Sequence, residues 1–225
     1  DYQTKKTYYF EALGVSVSNE FDGARLNGAN QLNDSTITLY FAPENTPINK
    51  SPYYAFETWS ELPRQVYFEF EYPKEFRHRY KPKRKKNGEW GIVDSVNVIK
   101  SDKGRMLRLM VDREPQLIAA QEINSSDDVE QWYLQHILDS NDFVHLGSAG
   151  QSSLGRNIPV LDIYRGSPEG KPIVFLLTRQ HPPEVTGFLA FQEFVETVVE
   201  SSVLSTEFLS KYRVLAFPNL NPDGV

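Results

Sequence analysis

Two patterns of hydrophobic and polar positions divide the chain near residue 123. Before that point, short runs rich in aromatic and β-branched residues alternate with polar positions, and they occupy residues 35–41, 53–58, 66–72 and 106–111. A period of two predicts half-buried antiparallel strands. Turn-forming clusters separate the runs, at 43–47 and at Asn87-Gly88 among other places, and this spacing favours a β-sandwich.

After residue 123 the pattern changes to alternating helices and strands. A helix is predicted over 126–138, where Asp127 and Glu130 offer an N-terminal cap and apolar residues keep helical spacing. The predicted fold class is therefore α/β: an N-terminal antiparallel β-sandwich over 1–123, followed over 124–225 by the first part of an α/β domain with a mixed sheet.

The most informative segment is 178–187, in which His181 and Glu184 stand three residues apart. The continuous apolar run 172–177 before it predicts a buried central strand, and ligands of α/β sheets gather at the carboxyl ends of such strands. A helix is predicted after it, with Pro183 in its first turn and an apolar face made of Val185, Phe188, Leu189, Val195, Val198 and Val199. That first turn is expected to hold Glu184 near His181, where an imidazole and a carboxylate can share one zinc ion.

These residues resemble the zinc metallocarboxypeptidases of the carboxypeptidase A type, whose signature is a His-x-x-Glu zinc pair between a strand and a helix. Two more stretches are similar to that family in order and spacing. Residues 152–163 match its Ser-x-x-Gly-Arg-x-Ile segment, although Leu154 stands where Glu is usual, and 212–224 match a strand followed by an Asn-Pro-Asp-Gly turn. The resemblance covers about residues 140–225, and it implies that His181 and Glu184 are ligands of a Zn²⁺ cofactor.

The resemblance also implies that some active-site residues of the family cannot be assigned to positions in this sequence. In the family, the third zinc ligand, the arginines that bind the substrate carboxylate and the general-base Glu all follow the Asn-Pro-Asp-Gly turn, and this chain ends at Val225. We therefore expect the chain to be the front portion of the catalytic domain, without a catalytic residue and inactive by itself. Pro183 also stands where many members carry an Arg. The implied activity is removal of residues from the C-terminus of a peptide or protein.

The N-terminal part is similar, more loosely, to the sandwich domain of the cytosolic-carboxypeptidase branch. The similarity rests on 51–56, on 80–82 and on Trp90. Some members of that branch shorten glutamate-rich tails, so an acidic peptide is one conceivable substrate.

A basic run at 77–86 carries seven Lys or Arg in ten residues. One hypothesis is that the run steers acidic peptides toward the protein. The preferred interpretation is a solvated hairpin arm, because Asn87-Gly88 directly after it is a strong two-residue turn signal.

The other candidate residues are predicted to be structural. His136 and His145 have no carboxylate or histidine at ligand spacing, and His78 belongs to the basic run. Gly155 and Arg156 are expected to shape the start of a strand. In the turn 221–224, Asp is expected to bond the local backbone and Gly to take a positive φ.

Composition narrows the classes of function. The formal net charge of −6 argues against a nucleic-acid partner, and no apolar stretch reaches the length of a membrane span. The chain contains no cysteine, so imidazole and oxygen ligands are the only strong metal donors. It begins at Asp1 without Met, which slightly favours a processed secreted or periplasmic protein over a cytoplasmic one.

Two alternatives to the carboxypeptidase stay open at this stage. The first is a zinc amidohydrolase of the aspartoacylase and succinylglutamate-desuccinylase type, which also uses His-x-x-Glu but usually has Gly and Asn at the two positions between the ligands. Pro182-Pro183 and the Asn-Pro-Asp-Gly turn speak against it. The second is a non-catalytic binding protein, in which the β-sandwich is a recognition module on a degenerate enzyme scaffold.

Overall fold

The computed structural model describes residues 3–43 and 53–225, and the chain forms two compact units, Asp1–Ile123 and Asn124–Val225. Most of the predicted turn cluster at 43–47 lies outside the described residues, as do the first two residues of the 51–56 segment. Among the helices described, none combines the length and the apolar character that crossing a bilayer would require.

The first unit is built from two β-sheets. The larger sheet has the strand order β1-β2-β5-β11-β7-β8, with antiparallel pairing throughout, and consists of β1 (Thr7–Phe10), β2 (Val15–Ser18), β5 (Ala55–Ser60), β11 (Gln116–Ala119), β7 (Lys83–Lys86) and β8 (Glu89–Ile92). The second sheet has the order β3-β4-β6-β10-β9 and consists of β3 (Gly28–Gln31), β4 (Thr36–Tyr40), β6 (Arg64–Glu71), β10 (Gly104–Val111) and β9 (Val98–Ser101).

One core joins the two sheets, as a sandwich requires. It combines Val15, Val17, Phe56 and Ile118 of the larger sheet with Ile37, Leu39, Phe68, Phe70 and Leu107 of the other. The prediction of a purely antiparallel sandwich was wrong in one pair, because β4 and β6 run parallel. The chain passes through β5 in the opposite sheet between them, so it returns in the same direction. β4 also departs from the half-buried pattern, since Thr36 and Thr38 are buried together with their apolar neighbours.

The last four residues of the basic run, Lys83–Lys86, form one strand of the hairpin that the turn signal predicted. β7 and β8 pair in antiparallel register from Lys83 opposite Ile92 to Lys86 opposite Glu89. Asn87 and Gly88 connect them with φ values of 53° and 84°, the left-handed conformations that a tight hairpin turn needs.

The second unit has a four-stranded mixed sheet with helices packed against one face. The strand order is β12-β13-β15-β14, with β14 parallel to β15 and the other pairs antiparallel; the strands are β12 (Val144–Gln151), β13 (Asn157–Ile163), β15 (Arg213–Phe217) and β14 (Ile173–Leu177). The helices are α1 (Ser126–Trp132), α2 (Val185–Val199) and α3 (Val203–Lys211). The core between sheet and helices contains Trp132, Ile163, Phe188, Phe191, Val195, Leu209 and Val214.

The run 172–177 is a strand, but the prediction of a buried central strand was wrong for the residues described. β14 pairs only with β15 and is the last strand of the sheet as described. Val174 and Leu176 pack against the core, whereas Ile173, Phe175 and Leu177 are 53%, 57% and 46% exposed. The run is apolar on both faces, but no described helix covers the second face.

The predicted helix over 126–138 is present with a different cap and a change of winding. Ser125 accepts a hydrogen bond from the backbone NH of Asp128, whose carboxylate accepts one from the backbone NH of Ser125 in return. This reciprocal pair caps α1, in place of the Asp127 and Glu130 expected from the sequence. From Tyr133–Leu138 the helix widens to π-helical winding.

Candidate metal centre

His181 and Glu184 are brought together by a tight turn. The backbone NH of Glu184 donates to the carbonyl of His181 at 3.1 Å, so Pro182 and Pro183 occupy the two central positions of a four-residue turn. The Nδ1 of His181 lies 3.0 Å from Oε1 of Glu184. The expected pairing therefore arises before the helix. The placement of Pro183 in the first helical turn was wrong, because α2 begins at Val185.

Both side chains of the pair are open to solvent, with 74% of the His181 side chain and 60% of that of Glu184 exposed. Imidazole nitrogen and carboxylate oxygen are suitable zinc donors, and here one atom of each faces the same small volume. Among the described residues, no third His, Cys, Asp or Glu joins them to make a group of three. The donor chemistry therefore fits zinc as a pair of ligands.

The residues between β14 and this turn are fixed by the 219–224 loop. The backbone NH of Leu220 donates to the carbonyl of Thr178 at 3.2 Å, and that of Asn221 donates to the carbonyl of Arg179 at 3.1 Å. The side-chain amide of Asn221 also donates to the carbonyl of Gln180 at 3.1 Å. Three consecutive carbonyls before His181 are thus held by one loop.

The tight packing of the two turns explains the glycine at position 224. A Cβ on Gly224 would lie 2.8 Å from Cγ of Pro182 and 2.8 Å from Nδ2 of Asn221. The expected positive φ is absent, since Gly224 is not among the glycines that adopt one. Glycine is required here because of the close approach to the His-Pro-Pro-Glu turn.

Asp223 connects the same loop to the β12–β13 connection. Its two carboxylate oxygens accept from the hydroxyl of Ser152 at 2.6 Å and from the backbone NH of Leu154 at 3.0 Å. The prediction that Asp223 bonds the local backbone was wrong, because the backbone NH that donates to it belongs to Leu154, 69 residues earlier in the sequence. Arg156 donates to the carbonyl of Pro222 at 3.2 Å, and Gly155 has a φ of 80° in the connection that leads into β13. The three sequence motifs therefore meet in space.

The other histidines lie elsewhere. His136 lines an open cavity of about 600 Å³ together with Glu196 and Glu200, near the end of α2 that is opposite to Glu184. His145 is exposed on β12, with its ring centroid 4.9 Å from that of Tyr164. The sequence suggested no role for His78 beyond the basic run, but the structure packs its ring against Tyr54, and its Nδ1 meets the hydroxyl of Tyr72 at 2.8 Å. Burial lowers the pKa of His78 to about 4.

Comparison with known proteins assigns the second unit. Residues 129–225 match the family of zinc carboxypeptidases. This segment belongs to that family. The match contains all three motifs that meet at the candidate metal centre, including His181 and Glu184. No curated protein matches the chain.

Solved structures share the fold of both units. A metallo-carboxypeptidase from Burkholderia cenocepacia is 15% identical with a TM-score of 0.79, and the alignment covers 93% of this chain and 57% of that one. A metallo-carboxypeptidase from Pseudomonas aeruginosa is 18% identical with a TM-score of 0.76, covering 92% and 56%. A protein from Shewanella denitrificans, provisionally described as a carboxypeptidase A, is 17% identical with a TM-score of 0.78, covering 92% and 55%. The chain thus spans somewhat more than half the length of these proteins.

Sequence reasoning missed the backbone conformation of Arg179, two residues before His181. Arg179 adopts a φ of 56° although it is not glycine, and its side chain is almost wholly buried. Nothing in the sequence around Arg179 signals that conformation, whereas the Asn-Pro-Asp-Gly composition did signal a turn at 221–224.

Proposed function

We propose that the protein is a zinc-dependent carboxypeptidase and that His181 and Glu184 are two of its zinc ligands. The observation that carries the proposal is the His-Pro-Pro-Glu turn, which places Nδ1 and Oε1 3.0 Å apart at the surface of a zinc-carboxypeptidase segment. The substrate class that goes with this activity is a peptide or protein with a free C-terminus.

The chain's own residues have separable tasks in this proposal. His181 and Glu184 would hold the metal, and their exposure leaves room on the solvent side for a water molecule and a substrate carbonyl. Asn221 and Gly224 keep the turn that carries the two ligands against the neighbouring loop. When bound, zinc in such sites lowers the pKa of a water molecule and polarises the carbonyl that is attacked.

Two exposed donors without a third are expected to bind zinc weakly, since catalytic zinc sites normally have three protein ligands. We therefore test the pair by metal binding before activity. The Zn²⁺ affinity of the 225-residue protein is measured by competition with a chromophoric chelator, and His181→Ala and Glu184→Gln should each abolish the competition. His145→Gln is the matched control, because His145 is exposed in the same unit but has no carboxylate bonded to its ring. Equal Zn²⁺ uptake by wild type and His181→Ala would remove this pair as the site.

The reaction class is tested on the full-length product of the gene, with three kinds of substrate in the presence of Zn²⁺, because the 225 residues alone are expected to be inactive. A carboxypeptidase activity requires cleavage of peptides with a free C-terminus and none of the same peptides with a C-terminal amide. Cleavage of N-acyl amino acids in preference to peptides would instead indicate the amidohydrolase. The absence of His181-dependent Zn²⁺ binding and of all cleavage would favour the non-catalytic binding protein.

A further inference from the structure

Arg179 adopts a backbone conformation that an arginine rarely takes. Its φ of 56° lies in the left-handed region, where a side chain's Cβ crowds the backbone. The other described non-glycine residue with a positive φ is Asn87, which occupies a hairpin turn and belongs to a type that tolerates this region. A strained conformation of this kind persists only where surrounding contacts determine it, and such residues cluster at functional sites.

The contacts that hold Arg179 are made by its guanidinium group. Nη2 donates to the carbonyl of Asn124 at 2.7 Å, and the residue as a whole is 4% exposed. The guanidinium carbon lies 5.7 Å from the ring centroid of Phe188, in the first turn of α2. Phe188 is itself buried and packs edge-on against Trp132 of α1, at a centroid distance of 5.8 Å. Arg179 is thereby attached to both helices next to the candidate metal centre.

The backbone of Arg179 leads directly into the turn that carries the ligands. Its carbonyl accepts from the backbone NH of Asn221, and only Gln180 separates it from His181. The side chains of His181 and Glu184 are exposed and bond to each other, so the chain leading into the turn sets their direction.

We propose that Arg179 is a positioning residue for the zinc pair: its buried guanidinium holds the left-handed backbone conformation that aims His181 toward the same point as Glu184. This inference rests on the proposed function of His181 and Glu184. Because neighbours that orient ligands commonly change metal affinity when they are replaced, loss of the guanidinium should weaken Zn²⁺ binding roughly tenfold.

The experiment measures the Zn²⁺ dissociation constant of the 225-residue protein by chelator competition for wild type and three variants. Arg179→Ala removes the guanidinium but keeps the strained backbone position, and it should weaken binding roughly tenfold. Arg179→Gly accepts the positive φ without strain, so it isolates the side-chain contacts and should also bind Zn²⁺ more weakly than wild type. Arg179→Lys retains a buried cation with N–H donors but loses the planar guanidinium, and it should restore part of the affinity.

The matched control is Arg165→Ala. Arg165 also places its guanidinium over an aromatic ring, 3.6 Å from the ring centroid of Phe143, but it lines the cavity near His136 and Glu200 and does not contact the ligand turn or the 219–224 loop. This variant should keep wild-type Zn²⁺ affinity. Hydrogen exchange of the backbone amides of α1 and α2 confirms that each variant is folded, and the Zn²⁺-induced NMR shift of the His181 ring reports the ligand itself.

The outcomes separate the two proposals. Wild-type Zn²⁺ binding that survives His181→Ala overturns the zinc pair. Binding through His181 that is unchanged in Arg179→Gly and Arg179→Ala overturns the positioning role alone. A lower thermal midpoint with unchanged Zn²⁺ affinity also overturns it, because that result describes a residue that only stabilises the fold. If Arg179→Ala does not fold, Arg179→Gly decides the question.

Discussion

His78 and His181 make similar hydrogen bonds in opposite surroundings. In the first unit, Nδ1 of His78 meets the hydroxyl of Tyr72 at 2.8 Å, and the ring stacks on Tyr54 at a centroid distance of 5.4 Å. In the second unit, Nδ1 of His181 meets the carboxylate of Glu184 at 3.0 Å, and the side chain is 74% exposed. A metal ligand needs a nitrogen that an ion can reach, so only the surroundings of His181 suit that task.

The comparison shows that a conspicuous sequence motif does not determine whether its histidine is buried or exposed. Both histidines lie in conspicuous segments, one in a basic run and the other beside two prolines. Packing decides their chemistry: aromatic rings enclose His78 and lower its pKa, whereas a surface turn presents His181. The sandwich packs its half-buried histidine against aromatic rings, and the carboxypeptidase segment leaves its histidine exposed.

The two units also differ in charge. The first unit contains 18 Lys and Arg against 17 Asp and Glu, a formal net charge of +1, and the second contains 6 against 13, a net charge of −7. The net charge of −6 for the whole chain therefore describes neither unit. The argument from net charge against a nucleic-acid partner applies to the second unit more strongly than to the first.

The largest expected effect comes from breaking the aromatic core that the ring of His78 contacts. Phe70 is 1% exposed and its ring lies 4.9 Å from that of Tyr54, so Phe70→Ala should lower the free energy of unfolding of the first unit by about 3–5 kcal/mol. The matched variant is Phe175→Ala, which removes a ring that is 57% exposed and should cost less than about 1 kcal/mol. Urea unfolding followed by hydrogen exchange resolves the two units, and equal losses would contradict the difference in packing.

The next effect concerns the surface turn that presents His181. Gly224→Ala would place a Cβ 2.8 Å from Pro182, so we expect the second unit to lose about 1–3 kcal/mol of stability and Zn²⁺ binding to weaken. Gly187→Ala is the control, since a Cβ there meets nothing within 4 Å and Ala favours the helix. The urea transition of the second unit is followed by hydrogen exchange of the backbone amides of α2. An unchanged urea midpoint in Gly224→Ala would show that the two turns are not in firm contact.

A smaller effect sharpens the contrast between the two histidines. The pKa of His78 is lowered to about 4, chiefly by burial and also by the charge of Arg105, so the unfolded chain binds a proton more readily than the folded one. As the pH falls from about 6.5 toward 4, protonation of His78 in the unfolded chain therefore lowers the free energy of unfolding of the first unit, by at most about 1.4 kcal/mol per pH unit. His78→Gln should therefore make the stability of the first unit less dependent on pH over that range, as measured by urea midpoints. His136→Gln, in the second unit, should leave the slope of the first unit as in wild type.

The smallest expected effect concerns the basic run 77–86, to which His78 itself belongs. Arg77, Arg79, Lys81 and Arg84 are exposed, so replacing all four with Ser should change the stability of the first unit by no more than about 0.5 kcal/mol. Under the interpretation of a solvated arm, binding of a fluorescent oligoglutamate peptide should be as weak as in wild type. A salt-dependent loss of binding in the variant would instead support the hypothesis that the run steers acidic peptides.

Local sequence patterns predicted strands and turns well where one face of the strand is buried and the other is exposed. Strands β5, β6 and β10 follow from their alternation, and Asn87-Gly88 gave the hairpin. The proximity of His181 to Glu184 also followed from their spacing, although a proline turn and not a helical turn produces it. Each of these features depends on residues that are close in sequence.

The features that sequence reasoning missed depend on contacts between distant residues. The apolar run of β14 says nothing about which of its faces is covered, and this is why an exposed edge was mistaken for a central strand. The contact of Gly224 with Pro182 and the bond of Arg179 to Asn124 join segments that are 42 and 55 residues apart. No local pattern encodes such pairs.

The uncovered face of β14 has a consequence for how solutions of this chain behave. Ile173, Phe175 and Leu177 form an exposed apolar stripe on the second unit. The formal net charge of −7 on this unit makes two copies of the chain repel one another. At 0.01 M ionic strength that repulsion reaches about 30 Å, but at 1 M it reaches only about 3 Å. Purification at high salt would therefore remove the barrier that keeps these stripes apart, and dilute buffer is the condition in which the chain should stay dispersed.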